Sequence, residues 1–180
     1  MTSVPAESFS HDESEIRAKD RVIRVDAGPL IVGVLNVTPD SFFDGGKYVD
    51  RQAAVAHAVA MAKNGADLLD IGAESSRPGS LPIDEAEEMR RLIPIVKAVC
   101  EAVSIPISVD TTKASVARQA LEAGAAIVND ISGLLYDAAL GELVAARGAA
   151  LVLMHTRGRS RAMYDEARCS SRSTSPTRSV

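Results

Sequence analysis

The chain has 180 residues, a formal net charge of −4 and 46% hydrophobic residues, a composition typical of one soluble globular domain. The negative balance gives no global attraction to nucleic acid or to an anionic membrane surface, and no apolar run approaches the ~20 residues of a membrane span. Two cysteines make no disulfide framework and no metal motif, and we expect Cys100 to be a small core residue. The polar, acidic N-terminus differs from a secretory signal, so we expect a reduced cytoplasmic protein.

The first twenty residues predict a disordered acidic leader, because they are rich in Ser, Asp and Glu and show no apolar period. The stretch RVIRV (21–25) then predicts a short strand. A turn, DAGP, separates it from IVGVLNV (31–37), which predicts a long buried strand.

From residue 31 onward, helical patterns alternate with short apolar runs. The apolar runs predict five strands, at 31–37, 67–72, 105–110, 126–131 and 150–155. The helical patterns lie between them, at 50–66, 83–103, 112–125 and 136–149. This alternation predicts an α/β fold with a parallel sheet and right-handed crossovers, either a (β/α)₈ barrel or an open doubly wound sheet. No G-x-G-x-x-G follows the first strand, which disfavours a dinucleotide-binding sheet.

The expected helix boundaries follow from capping residues. Asp50 is a candidate N-cap of the first helix, and Asp84 with Glu87 three residues later resembles a capping box. Pro94 predicts a kink or a division of the second helix. Three helix–strand joints contain a Gly-Ala pair, so we expect left-handed glycines there: Gly65, Gly124 and Gly148.

Polar side chains follow every predicted strand. Because the carboxyl ends of parallel strands meet at one edge of the sheet, this succession predicts a binding site there. Each residue also has a simpler interpretation: Asp110 could cap the next helix, Asn129-Asp130 could be a turn, and His155 could be structural. The side chains in chain order are Asn36, Thr38, Asp40 and Ser41; Asp70, Glu74, Ser75, Ser76 and Arg77; Asp110, Thr111 and Thr112; Asn129 and Asp130; and His155 and Arg157.

The residue types indicate a class of ligand. An Arg in the Ser/Gly-rich stretch SSRPGS (75–80) suits phosphate, and carboxylate or amide oxygens beside phosphate suit Mg²⁺. Asp and Asn at strand ends suit a flat heterocycle, since a carboxylate accepts from two adjacent N–H groups. The residues therefore suggest a phosphorylated or pyrophosphorylated heterocyclic substrate.

Four segments, taken in this order, closely resemble dihydropteroate synthase of the folate pathway: NVTPDSFFDGG (36–46), DIGAESSRPGS (70–80), SVDT (108–111) and VNDISG (128–133). Methyltransferases of the wider pterin-binding group share the barrel but not the first two loops. The resemblance covers residues 22–166 and implies a TIM barrel. It also implies an Mg²⁺-dependent transferase, a target of sulfonamides, that joins 6-hydroxymethyl-7,8-dihydropterin pyrophosphate to 4-aminobenzoate and releases pyrophosphate.

The resemblance also implies roles for individual residues. Asn36 would hold metal and pyrophosphate; Asp110 and Asn129 would bond the pterin ring, with Asp70 nearby. Asp40 would stabilise the charge that develops as pyrophosphate leaves, and Asp110 is counted with it as catalytic. The remaining substrate contacts implied are Ser76, Arg77 (at pyrophosphate or aminobenzoate, and also counted as catalytic), Phe42 over the aminobenzoate, and Thr38 and Ser41 in the same loop.

The sequence departs from the family after residue 166. The later Asp-Pro-Gly, Ser-Arg-Lys and Arg-x-His strands are missing, so residues 21–166 give about five of the eight strands of a barrel. Residues 167–180 predict an aberrant, disordered Ser/Arg-rich tail. We therefore expect a truncated product of a frameshift or an assembly error, or a natural short variant. The expected alternatives are an active enzyme and an inactive fragment that retains part of the site, without the helices of the family's usual homodimer interface.

Overall fold

The computed structural model describes residues 14–26, 28–37, 47–74 and 82–155. In chain order the elements are β1 (Glu15–Ala18), β2 (Arg21–Arg24), β3 (Val32–Asn36), α1 (Lys47–Lys63), β4 (Leu68–Gly72), α2 (Glu85–Ala102), β5 (Ile107–Asp110), α3 (Ala114–Glu122), β6 (Ile127–Asp130), α4 (Ala139–Ala146) and β7 (Ala150–Leu153). None of the helices in these ranges is long and apolar enough to cross a membrane.

The five predicted strands are confirmed as one sheet. They are hydrogen-bonded in the order β3-β4-β5-β6-β7, and every neighbouring pair is parallel. The order follows the chain without reversal, whereas a doubly wound sheet reverses its order at a switch point. Of the two predicted architectures, the sheet therefore matches part of a barrel wall.

The hydrophobic core lies between one face of the sheet and the helices. Gly33 shows how closely they pack, since a Cβ there would lie 2.7 Å from Leu69 Cδ2 and 3.0 Å from Met61 Sδ. Cys100 packs against this core but is only half-buried, and burial raises the pKa of its thiol. The helices contribute many small residues, which allow them to approach the sheet closely. The strands contribute Leu35, Leu69, Ile71, Val109 and Val128 to the buried cluster. The helices contribute Ala54, Ala58, Leu92, Val96, Val99, Val116, Ala117, Ala120 and Leu140.

The structure confirms most of the predicted helix ends. Gly65, Gly124 and Gly148 have φ angles of +99°, +116° and +58°, the left-handed conformation expected. Asp50 lies inside α1, so its predicted role as N-cap is wrong, because α1 begins at Lys47. α2 runs unbroken through Pro94, so the predicted division is also wrong. Buried residues on both sides of this proline anchor α2 to the core, and these are Leu92, Ile95, Val96 and Val99.

Only half of the capping box at α2 is present. The Asp84 side chain accepts a hydrogen bond from the Glu87 amide at 2.8 Å, so Asp84 is confirmed as the N-cap. The Glu87 carboxylate binds Arg90 and Arg91 instead of reaching back to the cap. Hydrogen bonds from these two guanidinium groups, Arg90 first, lower the pKa of Glu87 to about 2.

An N-terminal hairpin occupies part of the predicted leader. β1 pairs antiparallel with β2, so the expectation of disorder is wrong for residues 15–18. The Lys19 ammonium donates to the carbonyl oxygens of Leu121 at 2.7 Å and Ala125 at 3.0 Å, at the end of α3. Ala18 and Ile23 are buried in a second apolar cluster at the start of the main sheet, which also contains Ala126, Ile127 and Ala150.

Candidate active site

The strand register places one residue from each of the five strands in a single row across the sheet. Asn36 pairs with Gly72, Gly72 with Asp110, Asp110 with Asn129, and Asn129 with Val152. Paired residues of parallel strands project to the same face, and here this is the face opposite the helices. The row lies at the carboxyl ends of the strands, where the sequence predicted that Asn36, Asp110 and Asn129 would gather.

Asp70 lies two residues before Gly72 on β4, and a hydrogen bond joins it to Asn129 of the row. It pairs with Ser108 of β5, and its Oδ2 accepts a hydrogen bond from Asn129 Nδ2 at 3.0 Å. Asp70 Oδ1 is buried and has no hydrogen-bond partner among the described residues. A buried carboxylate oxygen without a donor is unfavourable, so Asp70 is prepared to accept a bond from a ligand.

The Asp110 carboxyl group lies in an acidic, partly buried environment. Burial raises its pKa first, and the neighbouring charge of Asp70 raises it next, followed by smaller effects of Glu88, Asp130 and Glu74. Together they raise the pKa of Asp110 to about 7. This value lies near neutral pH, so Asp110 can exchange a proton when a ligand changes its surroundings.

Asp110 does not cap the helix that follows it. The cap residue of α3 is Lys113, whose side chain makes no capping hydrogen bond. The Ala114 amide at the start of α3 donates instead to Asp137 Oδ2 at 2.8 Å. Asp137 Oδ1 accepts from the Ala139 amide of α4 at 3.1 Å, so one carboxylate serves two helices. The carboxyl group of Asp110 is therefore left for the row.

The turn interpretation holds for Asp130 but not for Asn129. Asp130 is 0% exposed, and its two carboxylate oxygens accept from the Ser132 amide at 2.8 Å and the Leu134 amide at 2.6 Å. These bonds fold the loop that follows β6. Asn129 instead donates its side-chain amide to Asp70, on the face of the sheet that carries the row.

A sequence model of the pterin binding enzyme family matches residues 32–176, which is most of the chain. The chain belongs to this family. The match continues past residue 166, into residues 167–180, which were predicted to form an aberrant tail.

Proteins similar to this member of the pterin binding enzyme family are dihydropteroate synthases. The one from Bacillus subtilis is 46% identical over 142 residues, which are 79% of this chain and 50% of the relative. The one from Mycobacterium leprae is 51% identical over 127 residues, 71% of this chain and 44% of the relative. The chain thus spans about half the length of the curated relatives it matches.

Solved structures agree with these sequence matches. A dihydropteroate synthase from Xanthomonas albilineans, with 4-aminobenzoic acid, superposes with a TM-score of 0.72 at 44% identity, over 79% of this chain and 52% of the other. The Yersinia pestis enzyme, in a sulfonamide drug complex, has a TM-score of 0.73 at 40% identity, over 83% and 54%. Membership of the barrel family is therefore supported by backbone geometry as well as by sequence.

Of the remaining candidates, Thr111 is buried, and Glu74 and Thr112 are half-buried. His155 is exposed just after β7. The other predicted site residues lie outside the described residues: Thr38, Asp40, Ser41, Phe42, Ser75, Ser76, Arg77 and Arg157. Their predicted roles stay predictions.

Sequence reasoning missed an ion-pair network beside the row. Lys113 Nζ lies 2.8 Å from Glu74 Oε2 and 2.5 Å from Glu88 Oε2. Glu88 is 1% exposed, and it shares the inward face of α2 with Leu92 and Val96. A glutamate at helical spacing with core residues is the signal that could have revealed the network, because a buried carboxylate requires a partner.

The described residues offer limited donors for Mg²⁺. No group of three or more His, Cys, Asp or Glu side chains among them could hold a metal ion. Asn36, the predicted ligand, presents an exposed amide at the end of β3. One neutral oxygen fits Mg²⁺ only where water and phosphate oxygens supply the other ligands, as they commonly do for this ion.

Proposed function

We propose that this chain carries the pterin side of a dihydropteroate synthase site. The reaction joins 6-hydroxymethyl-7,8-dihydropterin pyrophosphate to 4-aminobenzoate and gives 7,8-dihydropteroate and pyrophosphate. The observation that carries this proposal is the row at the strand ends, where Asp110 and Asn129 stand above Asp70 with its unpartnered buried oxygen. The names of relatives at 46% and 51% identity support the choice of reaction.

The row offers the hydrogen-bonding groups that a pterin requires. An ionised Asp110 would accept from two adjacent N–H groups on the ring edge. Asn129 donates its amide to Asp70, so its own carbonyl oxygen would accept from the ring. Asp70 Oδ1 would accept a further N–H. The sheet provides these groups on rigid strands, which fixes the orientation of the ring and of its reactive methylene group.

The chemistry is a substitution at the pterin methylene carbon. The bond between this carbon and the pyrophosphate oxygen breaks, the pair of electrons leaves with pyrophosphate, and the aminobenzoate nitrogen forms the new C–N bond and loses a proton. Asp40 would stabilise the positive charge on the methylene group, and Arg77 the departing charge. Ser76, Thr38, Ser41 and Phe42 would bind the substrates around these groups.

Magnesium would be held by Asn36 together with water and the pyrophosphate oxygens. Bound there, it would neutralise part of the charge on the leaving group. The fit of Asn36 to this ion rests on its amide oxygen and its place at one end of the row. A cytoplasmic location and the homodimer usual for the family stay predictions.

A second candidate is a chain that binds the pterin ligand but needs a further segment for turnover. The face of the sheet that carries the row also exposes apolar side chains, and Val34 and Val152 are 56% and 49% exposed. Among the described strands, β3 and β7 each pair on one side only. These features are typical of a surface that other structure covers.

Calorimetric titration with the pterin pyrophosphate and Mg²⁺, followed by an assay of pyrophosphate release, separates the two candidates. If the chain is a complete enzyme, it should bind the pterin pyrophosphate. Its release of pyrophosphate should depend on 4-aminobenzoate and should be inhibited by a sulfonamide. Binding without release supports the second candidate. In that case, adding the half of the Bacillus subtilis relative that this chain does not match should restore release. Absence of pterin binding in every mixture would rule out both.

A further inference from the structure

Lys113 connects three elements beside Asp110. Its ammonium contacts Glu74, which follows β4, and Glu88, which lies in the first turn of α2, while Lys113 itself is the cap residue of α3. The contacted residues are 39 and 25 positions away along the chain. A single side chain therefore joins segments that are distant in sequence.

Two of these segments, the ones that follow β4 and β5, lie close together at Asp110. The β4 segment continues from Gly72 to Glu74, and a Cβ at Gly72 would lie 3.3 Å from the Asp110 Cβ. The β5 segment continues from Asp110 to Lys113, where the Lys113 amide donates to Thr111 Oγ1 at 3.3 Å. The contact between Lys113 and Glu74 thus holds the segments that follow β4 and β5 together beside the Asp110 side chain.

Lys113 is held in the charged form at this position. Burial alone would lower its pKa, but the hydrogen bonds to Glu74 and Glu88 and the negative charges of these carboxylates together outweigh burial, and the pKa is raised overall. Glu88 is almost completely buried, so removal of Lys113 would leave a buried carboxylate without its partner. An ammonium group has no acceptor and cannot cap the start of a helix, so Asp137 accepts from the Ala114 amide while Lys113 donates to the two glutamates.

We propose that Lys113 is a positioning residue for the pterin site, and that it holds the exits of β4 and β5 together so that the Asp110 carboxylate keeps its place over Gly72. This inference rests on the proposed function for its ligand and on the network itself for its geometry. Lys113 touches no substrate in this arrangement and acts through Asp110.

Three variants separate positioning from simple stabilisation. Lys113→Arg keeps a cation that can reach both carboxylates. Lys113→Met removes the cation and leaves Glu88 unpaired. The double variant Lys113→Met with Glu88→Met replaces the buried pair by apolar groups, which often restores stability, but leaves Glu74 untethered. The matched control is Arg147→Met, which breaks an exposed ion pair with Glu122 at the other end of the sheet.

The first measurement is the affinity for 6-hydroxymethylpterin, by calorimetry, beside the free energy of unfolding. We expect the double variant to recover most of the stability lost in Lys113→Met yet to bind at least about tenfold more weakly than the wild type. Lys113→Arg and Arg147→Met should bind within about threefold of the wild type. A double variant that binds as tightly as the wild type would overturn the proposal.

The second measurement does not depend on any ligand. The ¹³Cγ resonance of Asp110 reports the surroundings and titration of its carboxyl group, which faces Asp70 from β4, Glu74 from the β4 exit, Glu88 from α2 and Asp130 from β6. We expect this resonance to shift or split in the double variant and to stay unchanged in Arg147→Met. Because the double variant also removes the charge of Glu88, its resonance is compared with that of Glu88→Met, which loses the same carboxylate but keeps the contact of Lys113 with Glu74. If the wild type binds no pterin, the proposed function fails, and this comparison still decides whether Lys113 positions Asp110. The same resonance in the double variant and in Glu88→Met would overturn the inference.

Discussion

At the scale of single residues, the site depends on carboxyl groups that are held close together. Asp70 and Asp110 lie on neighbouring strands, and burial of Asp110, followed by the negative charge of Asp70, raises the pKa of Asp110 to about 7. A ligand that donates two N–H groups favours the ionised form, because hydrogen bonds replace the lost hydration. Binding and protonation at Asp110 are therefore linked.

This linkage predicts that pterin affinity depends on pH. The carboxylate is the form that accepts N–H groups, so affinity for 6-hydroxymethylpterin should rise from about pH 6 to about pH 8, with a midpoint near the pKa of about 7. Asp110→Asn should bind at least about tenfold more weakly at pH 8 and lose this pH dependence. Calorimetry across the pH range checks it. Asp26→Asn, at an exposed position just after β2, is the control, and an equal pH dependence in wild type and Asp110→Asn would contradict the assignment.

The same carboxyl group makes stability depend on pH. The pKa of Asp110 is raised in the folded chain from 3.8 to about 7, so the folded state holds its proton more tightly than the unfolded state. This contribution is fully present below about pH 4 and is lost as pH rises through about 7. Asp110→Asn should therefore exceed the wild type in stability by about 4 kcal/mol at pH 8 and match it at pH 4. Urea unfolding at both values measures this, and a constant difference between the two proteins would refute it.

At the scale of elements, the hairpin shows how side chains far from the row hold the sheet. Lys19 reaches carbonyl groups at the end of α3, and its own amide donates to the Gly148 carbonyl at 2.6 Å. A helix carries partial negative charge at its C-terminus, so the ammonium of Lys19 both satisfies carbonyl groups and complements the dipole. The hairpin thereby joins α3 to the loop before β7.

Removal of the Lys19 side chain should destabilise the chain without changing the site. Lys19→Ala removes the ammonium donor from two carbonyl groups, of which Leu121 keeps only the Gly124 amide at 3.4 Å, and this corresponds to a loss of about 1–3 kcal/mol in the free energy of unfolding. Arg17→Ala is the matched control on the same hairpin, because Arg17 is 82% exposed and its ion pair with Glu15 is long, at 3.9 Å. Urea unfolding distinguishes the two, and a loss in Arg17→Ala as large as in Lys19→Ala would show that the helix end is not the cause.

Elements with a local signal were predictable, and those that depend on distant partners were not. The five strands and the left-handed Gly65, Gly124 and Gly148 follow from apolar runs and helix stops that act over a few residues. The hairpin was missed because Lys19 finds its partners more than 100 residues away. The Lys113 network was missed for the same reason, since no local pattern pairs it with Glu74 and Glu88.

At the scale of the whole molecule, the parallel register turns separate motifs into one site. Asn36, Asp110 and Asn129 lie far apart in sequence, yet each ends a strand, and pairing in register places them in one row. Their gathering was predictable from the strand ends alone, because every parallel strand delivers its last residues to the same edge. The bond between Asn129 and Asp70 was not, since it depends on side-chain orientation across two strands.

The two oxygens of Asp137 have a consequence for how the chain opens. They accept from the first amides of α3 and α4, so neither helix can unwind its start without releasing the carboxylate that also holds the other. In hydrogen exchange, the amides of Ala114 and Ala139 should therefore open with the same free energy and exchange as one unit. Asp137→Ala should uncouple them and speed both, while amides in the middle of α2 keep their protection. Unequal opening energies in the wild type would show that the two helix starts move independently.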